Sequence, residues 1–302
     1  MDLRQLTYFV RVAEMKSFTK AAGVLYVAQP ALGFQIRKLE DELQVQLLNR
    51  HSRGVEPTEA GLLLLEHARA LLSAAETAKR LVMDYEGPER GLVNLGVPPG
   101  HPLTSEAIIR TRREFPQIVL NVVEDYANAI IEQIAANSLD LGCIYTDIDK
   151  KLSVPGLTFE PLTEDHLCLI GSKMTMGKEL GPITFADVAA HPLVLAREPW
   201  GIRQRMDGVA ESLGLTLDIA FQIHSEPLVS RLIDEGEVFA IKPSALVRHQ
   251  IDNNRFAARQ IVEPMLRSRL HLVYSDRHPV SKASRAMRRM IRALASEDTE
   301  GA

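Results

Sequence analysis

The stretch SFTKAAGVLYVAQPALGFQIRKLEDELQ, residues 17–44, holds two helical patterns separated by VAQP, and its reading decides the fold of the first part of the chain. Ser17 suits the N-cap of a short helix through Phe18, Ala21, Ala22 and Leu25, because its hydroxyl accepts an N–H that a first turn leaves unpaired. Pro30 starts a new pattern, since proline in a first turn gives up an N–H that has no intrahelical partner there. The next helix therefore begins near Gln29. Along it Leu32, Ile36, Leu39 and Leu43 recur at helical spacing and predict one buried stripe. At about 100° per residue the opposite face carries Pro30, Phe34, Arg37, Lys38 and Asp41. Upstream, Leu3, Leu6, Phe9, Val10 and Ala13 predict an amphipathic first helix. Two short helices joined by a tight turn, the second with adjacent cations facing outward, have the layout of a helix-turn-helix. A plain three-helix core with solvated charges is the alternative.

After this unit, LLNRHSRGVEPTEAG reads as a small hairpin wing whose Arg50 and Arg53 would lie beside the third helix, against phosphates or in a minor groove. The same turn would also serve as an ordinary solvated one. Thr58 is a good N-cap, and a helical pattern then runs to GPERG at 87–91. Leu64, Ala68, Leu71, Ala75, Ala78, Val82 and Tyr85 alternate spacings of four and three, a coiled-coil seam over about three heptads. A helix of that length spans about 45 Å. It would either pair with a second copy or pack the same stripe on its own protein.

Composition bounds the rest. With 302 residues the chain exceeds one ordinary core, so two or three folding units are expected. Its 46% hydrophobic and 25% charged residues are ordinary globular values. The start, MDLRQLTYF, lacks the features of a secretory signal, and no long uncharged apolar run exists, so a cytoplasmic protein with no membrane partner is expected. The formal charge is −4, yet residues 1–58 carry +2, and a local basic patch suffices for a polyanion. Cys143 and Cys168 sit in strand-like apolar runs without metal spacing and read as core residues rather than redox sensors. No cofactor or metal is expected.

The order helix, helix-turn-helix, wing, long helix resembles the LysR-type transcriptional regulators. SFTKAAGVLYVAQPALGFQIRKLEDELQVQLLNR and RGVEPTEAG match that family's N-terminal signature across about the first 65 residues. The resemblance implies a winged helix-turn-helix, a linker-helix dimer and commonly a tetramer, with double-stranded promoter DNA as partner and RNA polymerase as a further candidate partner. It implies DNA contacts at Gln29, Pro30, Gly33, Phe34 and Arg53, and the outward cations Arg37, Lys38 and Arg50 join them. Two positions depart from the pattern, in which Ser and a polar or basic residue stand where Gly33 and Phe34 do. Gly33 costs roughly 1 kcal/mol of helix propensity. Phe34 offers no hydrogen bond to a base edge; it would lie against a thymine methyl or pack on protein.

From residue 91 the pattern alternates strand and helix. LVNLGV, SEAIIRTRREF, IVLNVV, NAIIEQIAA and LDLGCIY form a βαβαβ run that predicts a mainly parallel sheet. HLCLIG, LVLA, RQRMDGVAESLG, IAFQIHS, PLVSRLIDEG and FAIKP make a second set, and RLHLVYS with SKASRAMRRMIRALA would return to the first lobe. The fold class is therefore α/β with an all-α N-terminal part. The expected domains are 1–58 for DNA, 59–90 for the linker and 91–302 for an effector, with lobe I at about 91–162 and 267–302 and lobe II at about 163–266. This half resembles the family's inducer-binding domain, similar to type 2 periplasmic binding proteins. The matching cleft positions are Pro99, Gly100, His101, Asn128, Arg197, Pro199, Trp200 and Gly201, with His224 at another strand end. A strand-end histidine is more often structural than ligand-binding. Gly100 and Ala127 stand where a hydroxyl often grips an effector carboxylate, so a small aromatic or weakly acidic effector is expected, anchored by Arg197 or His101. Trp200 would stack on it or pack between lobes.

No GxSxG, GxGxxG, HExxH or P-loop occurs, and the carboxylates are scattered, so no enzyme is expected. A solute-binding protein without DNA readout fits the second half alone. The reading that uses the whole chain is a small-molecule-responsive, DNA-binding regulator.

Overall fold

The computed structural model describes residues 1–51, 54–83, 89–148, 152–177, 181–196, 202–277 and 280–300, with only the backbone of 77, 80, 81, 83 and 298–300. The expected site residues Arg53, Tyr85, Arg197, Pro199, Trp200 and Gly201 lie outside the described residues or side chains. The chain divides into two compact units, residues 1–87 with 136–138 and residues 88–135 with 139–302.

The first unit runs α1 (Leu3–Met15), α2 (Phe18–Leu25), α3 (Gln29–Leu43), the hairpin β1 (Leu48–His51) and β2 (Gly54–Pro57), and α4 (Glu59–Met83). Local chemistry sets each start. Asp2 accepts from the Gln5 N–H while the Gln5 side chain accepts from the Asp2 N–H, a capping box on α1. Ser17 accepts from the Lys20 N–H at 3.3 Å, and Thr58 from the Gly61 N–H at 3.0 Å. Leu6, Phe9, Leu32, Ile36 and Leu39 pack with Leu47 and Leu48 into one core. Leu43 does not join them. It is the last residue of α3, where the chain turns out through a left-handed Gln44, and its side chain is exposed. The Glu40 carboxylate of α3 accepts from the N–H groups of Leu47 and Leu48, which fixes where the wing leaves the helix. Gly61 seats α4 on the wing: a Cβ there would lie 2.0 Å from the Leu47 carbonyl oxygen, so only glycine permits this approach.

The second unit opens with β3 (Gly91–Val97), α5 (Pro102–Glu114), β4 (Ile118–Glu124), α6 (Ala127–Ala135) and β5 (Leu141–Asp147). It continues through β6 (Leu157–Ser172), β7 (Ile183–Thr184), α7 (Phe185–Ala189), β8 (Leu193–Leu195), α8 (Ile202–Leu213) and β9 (Ile219–Gln222). The last elements are α9 (Glu226–Asp234), β10 (Phe239–Pro243), α10 (Arg248–Asp252), β11 (Phe256–Val262), β12 (Arg267–Ser275) and α11 (Lys282–Glu300). Among the described residues the strand order is β4-β3-β5-β12-β6-β10-β8-β9, with β11 pairing β6 and β7.

The sheet is mixed rather than mainly parallel. β3 pairs in parallel with β4 and β5, and β8 with β9 and β10, as helical crossovers require. Between these flanks, β12 and β6 run antiparallel to their neighbours. β6 belongs to both lobes: residues 157–166 pair with β12, and 167–172 with β10 and β11. Its first half was not expected as a strand, because Pro161 and the charged Glu160, Glu164 and Asp165 argue against one. The proline is accommodated at a break in register opposite Leu270 and His271. One core lies around Leu95, Leu141, Leu272, Met287 and Ile291, another around Leu169, Phe185, Leu193, Met206 and Ile241. Cys143 and Cys168 are buried, and burial pushes both thiols up to about 12. Among the described residues no helix is long and apolar enough to cross a membrane.

Candidate DNA-reading surface and effector cavity

The turn between α2 and α3 is tied from within. Tyr26 caps α2 in a left-handed conformation, its N–H donating to the carbonyls of Ala22 and Gly23, and the Val27 N–H donates to Ala22 at 3.1 Å. Gln29 follows at the exposed start of α3, where the Thr19 hydroxyl of α2 donates to Gln29 Oε1 at 3.0 Å. That bond orients the amide and leaves its NH2 group and one carbonyl lone pair for a partner. Thr19 was not singled out in the sequence. Only the helix crossing brings it to Gln29.

Pro30, Phe34, Arg37 and Lys38 are exposed on the outward face, and Arg37 and Lys38 form no ion pair with any described carboxylate. Phe34 is 59% exposed, so it does not pack into the protein. The backbone of Gly33 is covered, yet a Cβ there would meet nothing within 4 Å. On the wing, the Arg50 guanidinium lies 4.7 Å from the centre of the Phe18 ring, a cation–π contact that holds the arginine beside α2.

The seam expected along α4 is covered at its start and exposed further along. Leu64 and Ala68 pack into the unit's own core, opposite α1, whereas Leu71 and Val82 are 48% and 77% exposed. Leu63 and Ala78 are exposed as well. Leu64 and Val82 are about five turns apart and share one face, so the difference lies along the helix and not around it.

In the second unit a cavity of about 470 Å3 lies between the strand ends. Pro99, Asn128 and His224 line it, as expected. Its walls are apolar, with Ile131, Ile144, Leu167, Val194 and Ile223, and His224 meets Tyr126 edge-on at 5.6 Å. Gly100 and His101 are not on the lining. Gly100 has a positive φ of 69° and makes the turn. His101 is buried and caps α5: its Nδ1 accepts from the Leu103 N–H at 3.1 Å, so the proton sits on Nε2, 3.0 Å from the Tyr145 hydroxyl. Burial pushes its pKa down to about 4. It therefore holds the neutral ring in place behind Tyr145 and is no anchor for an acid.

Side chains that the sequence did not reveal supply the polar lining. Arg205 of α8 pairs with Asp147 at the end of β5, at 2.9 Å, and also donates to the Arg267 carbonyl. Lys242 of β10 pairs with Glu226 of α9. Ser268, at the start of β12, is buried on the lining, and its Oγ has no hydrogen-bond partner among the described residues. A buried hydroxyl without a partner costs free energy.

Comparison with known proteins settles the class. Residues 3–62 match the family of bacterial regulatory helix-turn-helix proteins of the lysR type, and residues 86–296 match the LysR substrate binding domain. The chain is a LysR-type transcriptional regulator. This regulator is 30% identical over 299 residues to the nitrogen assimilation regulatory protein nac of Klebsiella aerogenes, spanning 98% of this chain and 96% of that one. It is 28% identical over 299 residues to the hydrogen peroxide-inducible genes activator of Escherichia coli O6:H1, spanning 97% and 95%. Its fold matches full-length CbnR crystallised with its target DNA at a TM-score of 0.69, with 21% identity over 97% of this chain and all of that one. The regulator thus joins a DNA-binding helix-turn-helix to an effector-binding domain, and the reading as a solute-binding protein without DNA readout falls.

Proposed function

We propose that the regulator reads promoter DNA with α3, Gln29 contacting a base edge while Arg37, Lys38, Arg50 and the wing's Arg53 hold phosphates. The carrying observation is the Thr19–Gln29 hydrogen bond, which presents an oriented amide at the exposed start of the helix. Residues 1–58 form the reading head, 59–90 pair two copies through Leu71, Ala78 and Val82, which are exposed on the seam face, and 91–302 take the effector in the cytoplasm. The regulator performs no chemistry of its own; occupancy acts by favouring one arrangement of subunits.

The cavity suits an uncharged effector with an apolar body. An acid would have to displace Asp147 from Arg205 or Glu226 from Lys242. The relatedness to peroxide-inducible activators raises thiol-based sensing as a second reading. Against it, both cysteines are buried with pKa values near 12, and the reactive species is the thiolate.

Gln29→Ala is expected to weaken operator binding by about 1 to 3 kcal/mol and to leave scrambled duplex almost unaffected. Thr19→Val is expected to follow it with about 1 kcal/mol. Both are measured by titration against duplexes selected from a random pool. Equal losses on selected and scrambled DNA would remove Gln29 from base reading.

A further inference from the structure

Four residues around the start of α3 are poor choices for the fold that holds them. Tyr26 takes a left-handed conformation, φ 55°, where Asn or Gly sits at ease, and its side chain is 95% exposed. Ala28 stands at the N-cap of α3 and makes no side-chain bond, although Ser or Asp would satisfy an unpaired N–H. Gly33 sits inside the helix with no steric need for glycine, because an added Cβ meets open space. Phe34 exposes an aromatic ring one turn before the exposed Arg37 and Lys38. Where local rules fail together around the turn and first turns of one helix, a partner outside the protein is the usual reason.

The chemistry of the four narrows that partner. Arg37 and Lys38 require a polyanion, and the ring ahead of them requires an apolar group set within it. The major groove of DNA presents one such group, the C5-methyl of thymine, and phenylalanine meets it without any hydrogen bond. Gly33 removes the side chain next to the ring and lets the helix backbone come close. We infer that this regulator reads thymine methyl groups in its half-site, with Phe34 as the reading surface and Gly33 as the clearance that brings it into reach. This rests on the assignment of α3 to the DNA-facing side. It makes Phe34 a specificity-determining residue whose preference is for A·T pairs in one orientation.

Duplexes enriched from a random pool by the full-length protein provide the test. Each is compared with a copy in which deoxyuridine replaces thymine, a change that removes the methyl and keeps every base-pairing group. The wild-type protein is expected to lose about fourfold in affinity for each contacted methyl. Phe34→Ala is expected to bind the thymine duplex more weakly and to show no penalty on deoxyuridine. Because Phe34 is exposed, its melting temperature should match wild type. Gly33→Ala is expected to keep or raise the melting temperature and to weaken binding. Equal wild-type affinity for both duplexes, or an undiminished deoxyuridine penalty in Phe34→Ala, would overturn the inference; unchanged binding by Gly33→Ala would overturn the clearance. If no duplex is enriched at all, the DNA-facing assignment of α3 itself fails, and the methyl reading falls with it.

Discussion

The two units depart from the inside-outside rule in opposite directions. The N-terminal unit leaves aromatic Tyr26 and Phe34 in solvent, and the C-terminal unit buries Ser268 without a hydrogen-bond partner. Each departure suits the partner. A duplex is large and meets the protein from outside, so the residues that contact it must stay uncovered in its absence. A small effector is enclosed, so the groups that hold it must be desolvated beforehand. The same contrast appears in how each surface is assembled: one helix carries the reading face, while strands and helices from both lobes line the cavity.

The largest expected effect breaks the first unit alone. Gly61→Ala drives a methyl into the Leu47 carbonyl, 2.0 Å from the new Cβ, and is expected to destabilise that unit by about 3 kcal/mol. Calorimetry should show the N-terminal transition moving down and the C-terminal one unmoved. A single shift of both would mean that the units melt together and that the comparison describes one cooperative body.

The second effect belongs to the other unit and depends on pH. The His101 pKa lies near 4 in the folded protein and at its ordinary 6.5 when unfolded, so the unfolded chain binds the extra proton first. Stability is therefore full above pH 6.5 and falls as pH drops toward 4, by about 2 kcal/mol between pH 6.5 and 5. Melts of wild type and His101→Asn across that range test it; the slope should flatten in the variant. An equal slope in both would assign the dependence to other groups.

The smallest effect has the less usual sign. Ser268→Ala removes a buried, unpartnered hydroxyl and is expected to stabilise the second unit by about 1 kcal/mol. Loss of stability on this substitution would show that the hydroxyl already has a partner.

The same contrast explains what could be read from sequence. Ser17, Pro30 and the Leu32–Ile36–Leu39 spacing act within a few turns, so the helix-turn-helix was legible residue by residue. Leu43 went astray where tertiary packing chooses among equivalent positions on a helix, and Leu64 and Ala68 of the α4 seam pack on their own unit. In the second unit Pro99, Asn128 and His224 were legible because strand ends adjoin the cavity, whereas His101 looked like a ligand until its cap to Leu103 was known. Arg205, Lys242 and Ser268 had no local signal. They enter the cavity because β6 and β12 cross between lobes, and nothing within a short window of sequence encodes that crossing.

Gly61 has a consequence for the operator. With the start of α4 set directly on the wing, two heads paired through their helices as proposed above would face the duplex at a fixed angular phase. DNA turns once in about 10.5 base pairs. Inserting about five base pairs between half-sites would carry one of them to the far side of the duplex, and about ten would bring it back. The distance between half-sites is thereby as much a part of the message as their bases.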